Sequence, residues 1–358
     1  MPSLLAMTNS AFDPASRVRL IQFIPGLEKA GWRVDHRPNV PDRQWSSPLS
    51  GRWSRAAHYR LGRARMKWNR WHDVSEAGRF DAVFVNRDLA GRGTLFERRL
   101  LSRNPHVVFD FDDAIFIGRN EAAVAWMCAH AAWVTPGNEY LAAFARRFTP
   151  NVTVIPTVID TDRYEMAPER PAGAAVRVGW SGSDQSIAAA LFPSLPMLEA
   201  LQERLGFEFV IVTNTRPTLP VPRFRFTFVP WKAEDEGLLG RHVDVGLMPL
   251  VDDAFQRGKC GLKLLQYMAA GLPAVASPVG VNAEIVIQGV TGFLARREED
   301  WGAALEELVR SADLRQSMGR RGRRRCVEHY SIRRWLPELI TILNRVASDR
   351  PERANRVA

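Results

Sequence analysis

The sequence predicts an α/β protein made of two doubly wound halves, each a parallel sheet flanked by helices. Short apolar runs of strand length alternate with longer stretches of helical period along most of the 358 residues, the pattern of strands joined by crossover helices. The alternation pauses at Glu165-Met166-Ala167-Pro168-Glu169-Arg170-Pro171-Ala172-Gly173, rich in proline and charge and without periodicity, which reads as a linker. A chain of this length that is 46% hydrophobic holds about two domains of ordinary size.

The first half opens with Leu4 to Met7, a run too short for a secretion signal and without the preceding positive charge, and so a first strand. Ala82 to Val85, Val107 to Phe111, Trp133-Val134 and Val152 to Ile155 continue the series. The second half begins at Val176-Arg177-Val178-Gly179 and continues with Phe209 to Val212, Phe224 to Val229, Val243 to Met248 and Ala274 to Ala276. Residues 1–170 are then one domain and 171–330 another, with a helix over about 331–350 packing back on the first. The most apolar window, Ala122 to Val134, contains His130 and is 13 residues long, whereas a membrane span takes about 20.

Lys and Arg number 49 against 39 Asp and Glu, a net charge of +10 that attracts polyanions without deciding the fold. Cys128, Cys260 and Cys326 lie far apart with no C-x-x-C pair, which argues against a disulfide framework and a zinc knuckle and fits a reducing cytoplasm. Two segments break the alternation. Residues 41–75 interleave Arg43, Arg52, Arg55, Arg60, Arg63, Arg65, Lys67 and Arg70 with Trp45, Trp53, Tyr59, Trp68 and Trp71. That mixture suits an anionic membrane surface, or nucleic acid, or a helical flap packed on the first half with its arginines in water. The second segment, Arg315 to Arg325, has six Arg and no acid, and reads as a solvated helix face.

Ligands of open α/β sheets bind beyond the carboxyl ends of the strands. One such loop, Asp252-Asp-Ala-Phe-Gln-Arg-Gly-Lys-Cys-Gly-Leu-Lys-Leu-Leu-Gln266, follows the strand ending near Met248 and leads through Met268-Ala-Ala-Gly-Leu-Pro273 into the next. Gly258 and Gly261 let backbone approach a ligand, and the amides of a helix starting near Cys260 face an anion. Lys259 and Lys263 add charge, while Lys263 and Gln266, three apart, share a helix face.

This run, with Pro278-Val-Gly-Val-Asn-Ala-Glu284 after it, resembles the donor half of the retaining GT-B glycosyltransferases of family 4, over about Val176 to Tyr330. The resemblance implies a GT-B fold, two Rossmann-like domains whose parallel sheets face each other across a cleft, the first binding acceptor and the second a nucleotide diphosphate sugar. It implies a retaining, metal-independent hexosyl transfer to an acceptor hydroxyl, with no cofactor beyond that co-substrate. Donor contacts then fall on Gly182, Ser183, Gly258, Cys260, Gly261, Leu262, Lys263, Gln266, Gly280 and Glu284, with Lys259 neutralising the diphosphate and Gln266 and Glu284 bonding ribose and nearby hydroxyls. Two departures matter. The family has two Glu eight positions apart where this chain has Gly258 and Gln266, and its Arg and Lys after the first donor-half strand give way to Gly179-Trp180-Ser181-Gly182-Ser183, a loop whose amides can wrap phosphate. Charge neutralisation then rests on Lys259, Lys263 and Arg257.

In the first half, Ser10 to Arg19 resembles the family's loop after the first strand, where Arg17 binds an anionic acceptor or the donor phosphate. Val152 to Tyr164 resembles the segment leading out of the acceptor half. Val107-Val-Phe-Asp110-Phe-Asp112-Asp113 ends a strand in D-x-D, which holds a divalent metal in GT-A enzymes; Asp112 also stands where family 4 has a His near the transferred sugar, as a carboxylate able to orient or deprotonate the acceptor hydroxyl.

Each feature has a plain structural counterpart. Gly258 to Pro273 is also what an ordinary crossover helix and turn look like, Asp110 and Asp113 suit capping, Arg17 a surface arginine and Glu284 a helix cap. Rival functions are a nucleotide-sugar epimerase of the same fold, a basic nucleic-acid-binding protein, and a non-catalytic binding homologue, the last raised by Gly258. With the cysteines placing the chain in the cytoplasm and the basic, Trp-rich residues 41–75 able to hold it peripherally on an anionic leaflet, the expected sugar transferase acts in cell-surface polysaccharide or glycolipid synthesis on a glycan or lipid-linked acceptor, with no nucleic acid.

Overall fold

A computed structural model describes residues 1–40, 52–89, 93–118, 120–171, 173–221 and 223–348. The chain divides into one unit of residues 1–157 with 335–358 and a second of residues 158–334.

The first unit runs β1 (Ser3–Ser10), α1 (Pro14–Arg19), α2 (Ile24–Lys29), β2 (Arg33–Val40), α3 (Arg52–Glu76), β3 (Ala82–Asn86), α4 (Leu95–Arg103), β4 (Val107–Phe111), α5 (Glu121–His130), β5 (Trp133–Pro136) and α6 (Glu139–Ala145). Its sheet is parallel with order β2-β1-β3-β4-β5. Strands β1, β3 and β4 are buried on both faces, as covered parallel strands must be, hence their unbroken apolar runs. Proline at the first helical position and Asp13, whose carboxylate accepts from the Ser16 amide at 3.0 Å, start α1 directly beyond the carboxyl end of β1.

The second unit runs β6 (Arg177–Ser181), α7 (Asp184–Ala190), α8 (Leu195–Leu205), β7 (Glu208–Thr213), β8 (Thr227–Pro230), β9 (Val245–Met248), α9 (Ala254–Arg257), α10 (Leu262–Ala269), β10 (Ala274–Ala276), α11 (Asn282–Ile285), β11 (Gly292–Leu294), α12 (Glu298–Arg310) and α13 (Ala312–Tyr330). Its parallel sheet has order β11-β10-β9-β6-β7-β8. Successive strands step outward in one direction from β6 and in the other from β9, so the chain's direction of winding reverses between these two, and a crevice opens at their carboxyl ends. Alternation along β7 feeds two cores: Phe209 and Ile211 pack with Trp180 and Leu247 on one face, Val210 and Val212 with Met248 and Tyr267 on the other. A final helix, α14 (Ile332–Ser348), packs within the first unit over most of its length, Arg345 lying 4.6 Å from the centre of the Trp133 ring.

The boundary differs from the one the composition suggests. Thr157 ends the first unit, and the stretch after it runs along the second, where Glu165 and Ala167 donate backbone bonds to Gly237 and Ala270 and the Arg323 guanidinium grips the carbonyls of Thr161, Tyr164 and Ala269. Val152 to Ile155 forms only a single bridge, Val152 to Val134, rather than a full strand.

Candidate functional site

The site in the second unit is organised by Tyr267. Its buried hydroxyl accepts from the Ser181 amide at 3.0 Å and donates to the Leu247 carbonyl at 3.1 Å, tying the carboxyl ends of β6 and β9 together at the winding reversal. Burial pushes this phenol well above its ordinary pKa, so it stays a neutral donor. Gly246 makes room for the ring: a Cβ there would collide with it.

Three strand-end segments converge beside this anchor. A Cβ at Gly182 would lie 2.8 Å from Lys263 Cε and 2.5 Å from the Trp180 ring, so the loop after β6 lies directly against Lys263, whose ammonium is 5.2 Å from the centre of the Trp180 indole. Gly261 begins α10 at φ +71°, a conformation that side chains rarely adopt, and a Cβ on it would strike Ile285. Gly280, at φ +53°, is pressed against the Arg257 carbonyl, 2.6 Å from where its Cβ would be. Gly182, Gly258 to Lys263 and Gly280 are therefore brought together. Ser183 follows Gly182 and caps the space before α7, its Oγ 3.2 Å from that of Ser186.

The Lys259 ammonium lies 5.2 Å from the centre of the Phe255 ring, and Cys260 is buried with its thiol toward the Gly258 carbonyl. Arg257 pairs with Asp252 at 2.6 Å, which already offsets part of its charge. Glu284 is exposed on α11, where its backbone carbonyl accepts from Arg325.

Gln266 is buried, and its amide donates to the Glu236 carboxylate at 2.6 Å. Both line a cavity of about 210 Å³ walled by Val212, Val229, Trp231 and Leu239 with Ser181 at one side. Glu236 is a residue that the sequence argument did not single out. Its signal is position alone: it follows β8, hence sits beyond a carboxyl strand end like every other site segment.

In the first unit the strand-end charges sort differently. Asp110 is buried and accepts from both Arg19 Nη2 (2.6 Å) and Nε (3.1 Å), from Asn86 and from Thr135. Asp112 and Asp113 instead face Arg87, at 2.8 and 2.6 Å. Burial lowers the pKa of the Arg87 guanidinium, but the two carboxylates outweigh it and hold the group well above its ordinary value. Arg87 itself has φ 64°, the one non-glycine residue with positive φ among the described residues. The three aspartates thus serve two separate arginines, and among the described residues no three His, Cys, Asp or Glu side chains group as a metal site. Arg17 is half-buried on α1, and the arginine built into the sheet end is Arg19.

Residues 188–311 match the family model of the glycosyl transferases group 1. A D-inositol 3-phosphate glycosyltransferase of Paenarthrobacter aurescens is 37% identical over 82 residues, 22% of this chain and 19% of that enzyme, so the match spans about a fifth of the relative's length. Among solved structures, a sucrose-phosphate synthase from Thermosynechococcus elongatus superposes with a TM-score of 0.69 at 14% identity, covering 98% of this chain and 100% of that one. Anabaena HepE in complex with UDP-glucose gives 0.63 at 13% identity, covering 97% and 98%. The solved structures share the GT-B fold with this chain, and residues 188–311 are similar to the glycosyl transferases group 1.

Proposed function

We propose that the chain moves a sugar from a nucleotide diphosphate sugar to an acceptor hydroxyl with retained configuration and without a metal. The observation that carries this is the position of Lys263 on the first turn of α10, against the Gly182 loop and beside a cavity closed by the Gln266–Glu236 pair. First-turn amides have no intrahelical acceptor and carry the positive end of the helix dipole, and an ammonium beside them stabilises the diphosphate as it leaves. Val229 and Trp231 offer walls for a nucleobase, and the Gln266 amide with the Glu236 carboxylate offers a donor and an acceptor to a ribose diol. Lys259 supplies a second cation at the loop, and Asp112, held by Arg87, orients the acceptor. Incubation with a series of nucleotide sugars and hydroxyl acceptors tests the reading: transfer to acceptor is expected, and conversion of donor alone into an epimer contradicts it.

Glu236 gives a sharper check. Glu236→Ala should weaken nucleoside diphosphate binding about 10-fold or more, the cost of a hydrogen bond to a charged group, and leave the 2′-deoxy analogue unaffected; calorimetry on both ligands reads the difference.

The acceptor is proposed to be lipid-linked, reached by docking on an anionic membrane through α3. Arg70 fixes the inner side of this helix, its buried guanidinium donating to the carbonyls of Thr8, Leu89 and Arg37 while burial, against Asp73 and Asp88, lowers its pKa to about 10. The opposite side presents Ala57, Leu61, Ala64 and Trp68 at helical spacing, with Leu61 72% and Trp68 74% exposed. Arg60, Arg65 and Lys67 flank this stripe, so rings and aliphatic groups enter the headgroup layer while the cationic groups meet phosphate. Arg43 and Trp45 lie outside the described residues, as do the side chains of Arg52, Trp53 and Arg55. No helix among the described residues is long and apolar enough to cross a membrane. Sedimentation with vesicles containing phosphatidylglycerol should pull down the wild type and release Leu61→Ser/Trp68→Ser; equal sedimentation of the two contradicts the docking.

A further inference from the structure

The second unit has another cavity, larger than the donor pocket, at the opposite end of the same sheet. It measures about 460 Å³, and its wall includes Val176 at the amino end of β6, whereas Ser181 at the carboxyl end of that strand lines the donor pocket. Five residues of strand separate the two, roughly 16 Å. One side is apolar, formed by Met166, Leu272, Pro273 and Val309. The charged lining consists of Arg170, Arg310, Arg315 and Arg320 against Glu169 and Asp244.

These charges do not balance locally. Asp244 already binds Arg177 through both carboxylate oxygens, at 2.7 and 3.2 Å, and also accepts from the Arg177 amide at 2.8 Å. The same carboxylate is the acid nearest Arg170, 3.6 Å away. Arg310 is offset by Glu306 at 2.7 Å outside the cavity. Arg315 is half-buried and held in place by the carbonyls of Leu308 and Val309 at the end of α12. Burial lowers its pKa, Asp244 opposes that and the nearby Arg170 adds to it, so two guanidinium groups are crowded together in a partly desolvated space. Like charges gathered this way are relieved by an anion that bridges them.

We propose that this cavity is a second anion site, which binds a small phosphate ester, with Arg170, Arg315 and Arg320 on the phosphate and the Met166, Leu272 and Val309 wall on the organic part. The site also joins the segment entering the second unit, through Arg170, to α13, through Arg315 and Arg320, so that ligand occupancy fastens that segment down.

Calorimetric titration of the full chain with inorganic pyrophosphate tests the assignment in three proteins. Lys263→Ala, altered only in the donor pocket, should retain a binding event with wild-type affinity. Arg170→Gln/Arg320→Gln should weaken that event about 10-fold or more, the loss expected for hydrogen bonds to a charged ligand. Arg320→Glu alone, a change on the exposed face of α13 that spares the Arg315 contacts with α12, should weaken it as well. The proposal is overturned if Lys263→Ala binds no pyrophosphate, or if both arginine variants bind it as the wild type does. Because the decisive event is read with the donor pocket disabled, its outcome is separate from that of the sugar-transfer reading.

Discussion

Arg19→Met is expected to destabilise the first unit by about 3–5 kcal/mol, the cost of leaving one member of a buried ion pair without its partner. The Arg19 and Asp110 side chains are 1% and 2% exposed. Arg19 also donates to the carbonyls of Ile155 (2.6 Å) and Thr135 (3.1 Å), so one guanidinium joins α1, the end of β4, β5 and the segment after it. Methionine fills much of the same volume but supplies no donor, so the loss reports the charge and its hydrogen bonds rather than a cavity. Removing the stranded charge as well, in Arg19→Met/Asp110→Asn, should recover part of the stability, because Asn86 and Thr135 still contact the amide. Urea unfolding of the three proteins measures this. A single variant as stable as the wild type would show that the pair is incidental.

Lys263→Ala is expected to lower turnover about 100-fold or more, the effect of removing one preorganised group from a developing anion. Lys263 touches the Gly182 loop and stands on the first turn of α10, its ammonium 5.2 Å from the centre of the Trp180 ring, which is where the proposed site needs a cation. Lys263→Arg keeps the charge but has a bulkier head against Trp180 and Gly182, and should restore activity only in part. Steady-state kinetics separate the effects: a change in KM with kcat unaltered would assign Lys263 to ground-state binding alone.

Much of this site was legible in the sequence, and the reason is steric. Gly182, Gly261 and Gly280 mark places where a Cβ would strike the Trp180 ring and Lys263, Ile285 and the Arg257 carbonyl in turn, so composition and spacing recorded these loops directly. Buried parallel strands were legible for a similar reason, since β1, β3 and β4 are apolar on both faces. By contrast, β2 lies at an edge with mostly half-exposed residues and leaves no apolar run to read. Glu236 and Gln266 are 30 positions apart, and Arg19 and Asp110 are 91 apart; such pairings appear only when strand order is known. The choice of Arg17 over Arg19 failed to anticipate that the more deeply placed arginine faces the sheet end. The stretch from Glu165 to Gly173 looked like a free linker because proline and charge look the same in a loose chain and in one fastened along a surface by backbone bonds.

The central claim is that the loop after β6 and the start of α10 form a diphosphate cradle completed by Lys263. Calorimetric titration of the wild type and of Lys263→Ala with UDP, GDP, ADP and dTDP tests it most directly. The account predicts that at least one of the four binds the wild type and that Lys263→Ala weakens the same nucleotide about 10-fold or more. Absence of binding by all four, or equal affinity in the two proteins, would contradict it.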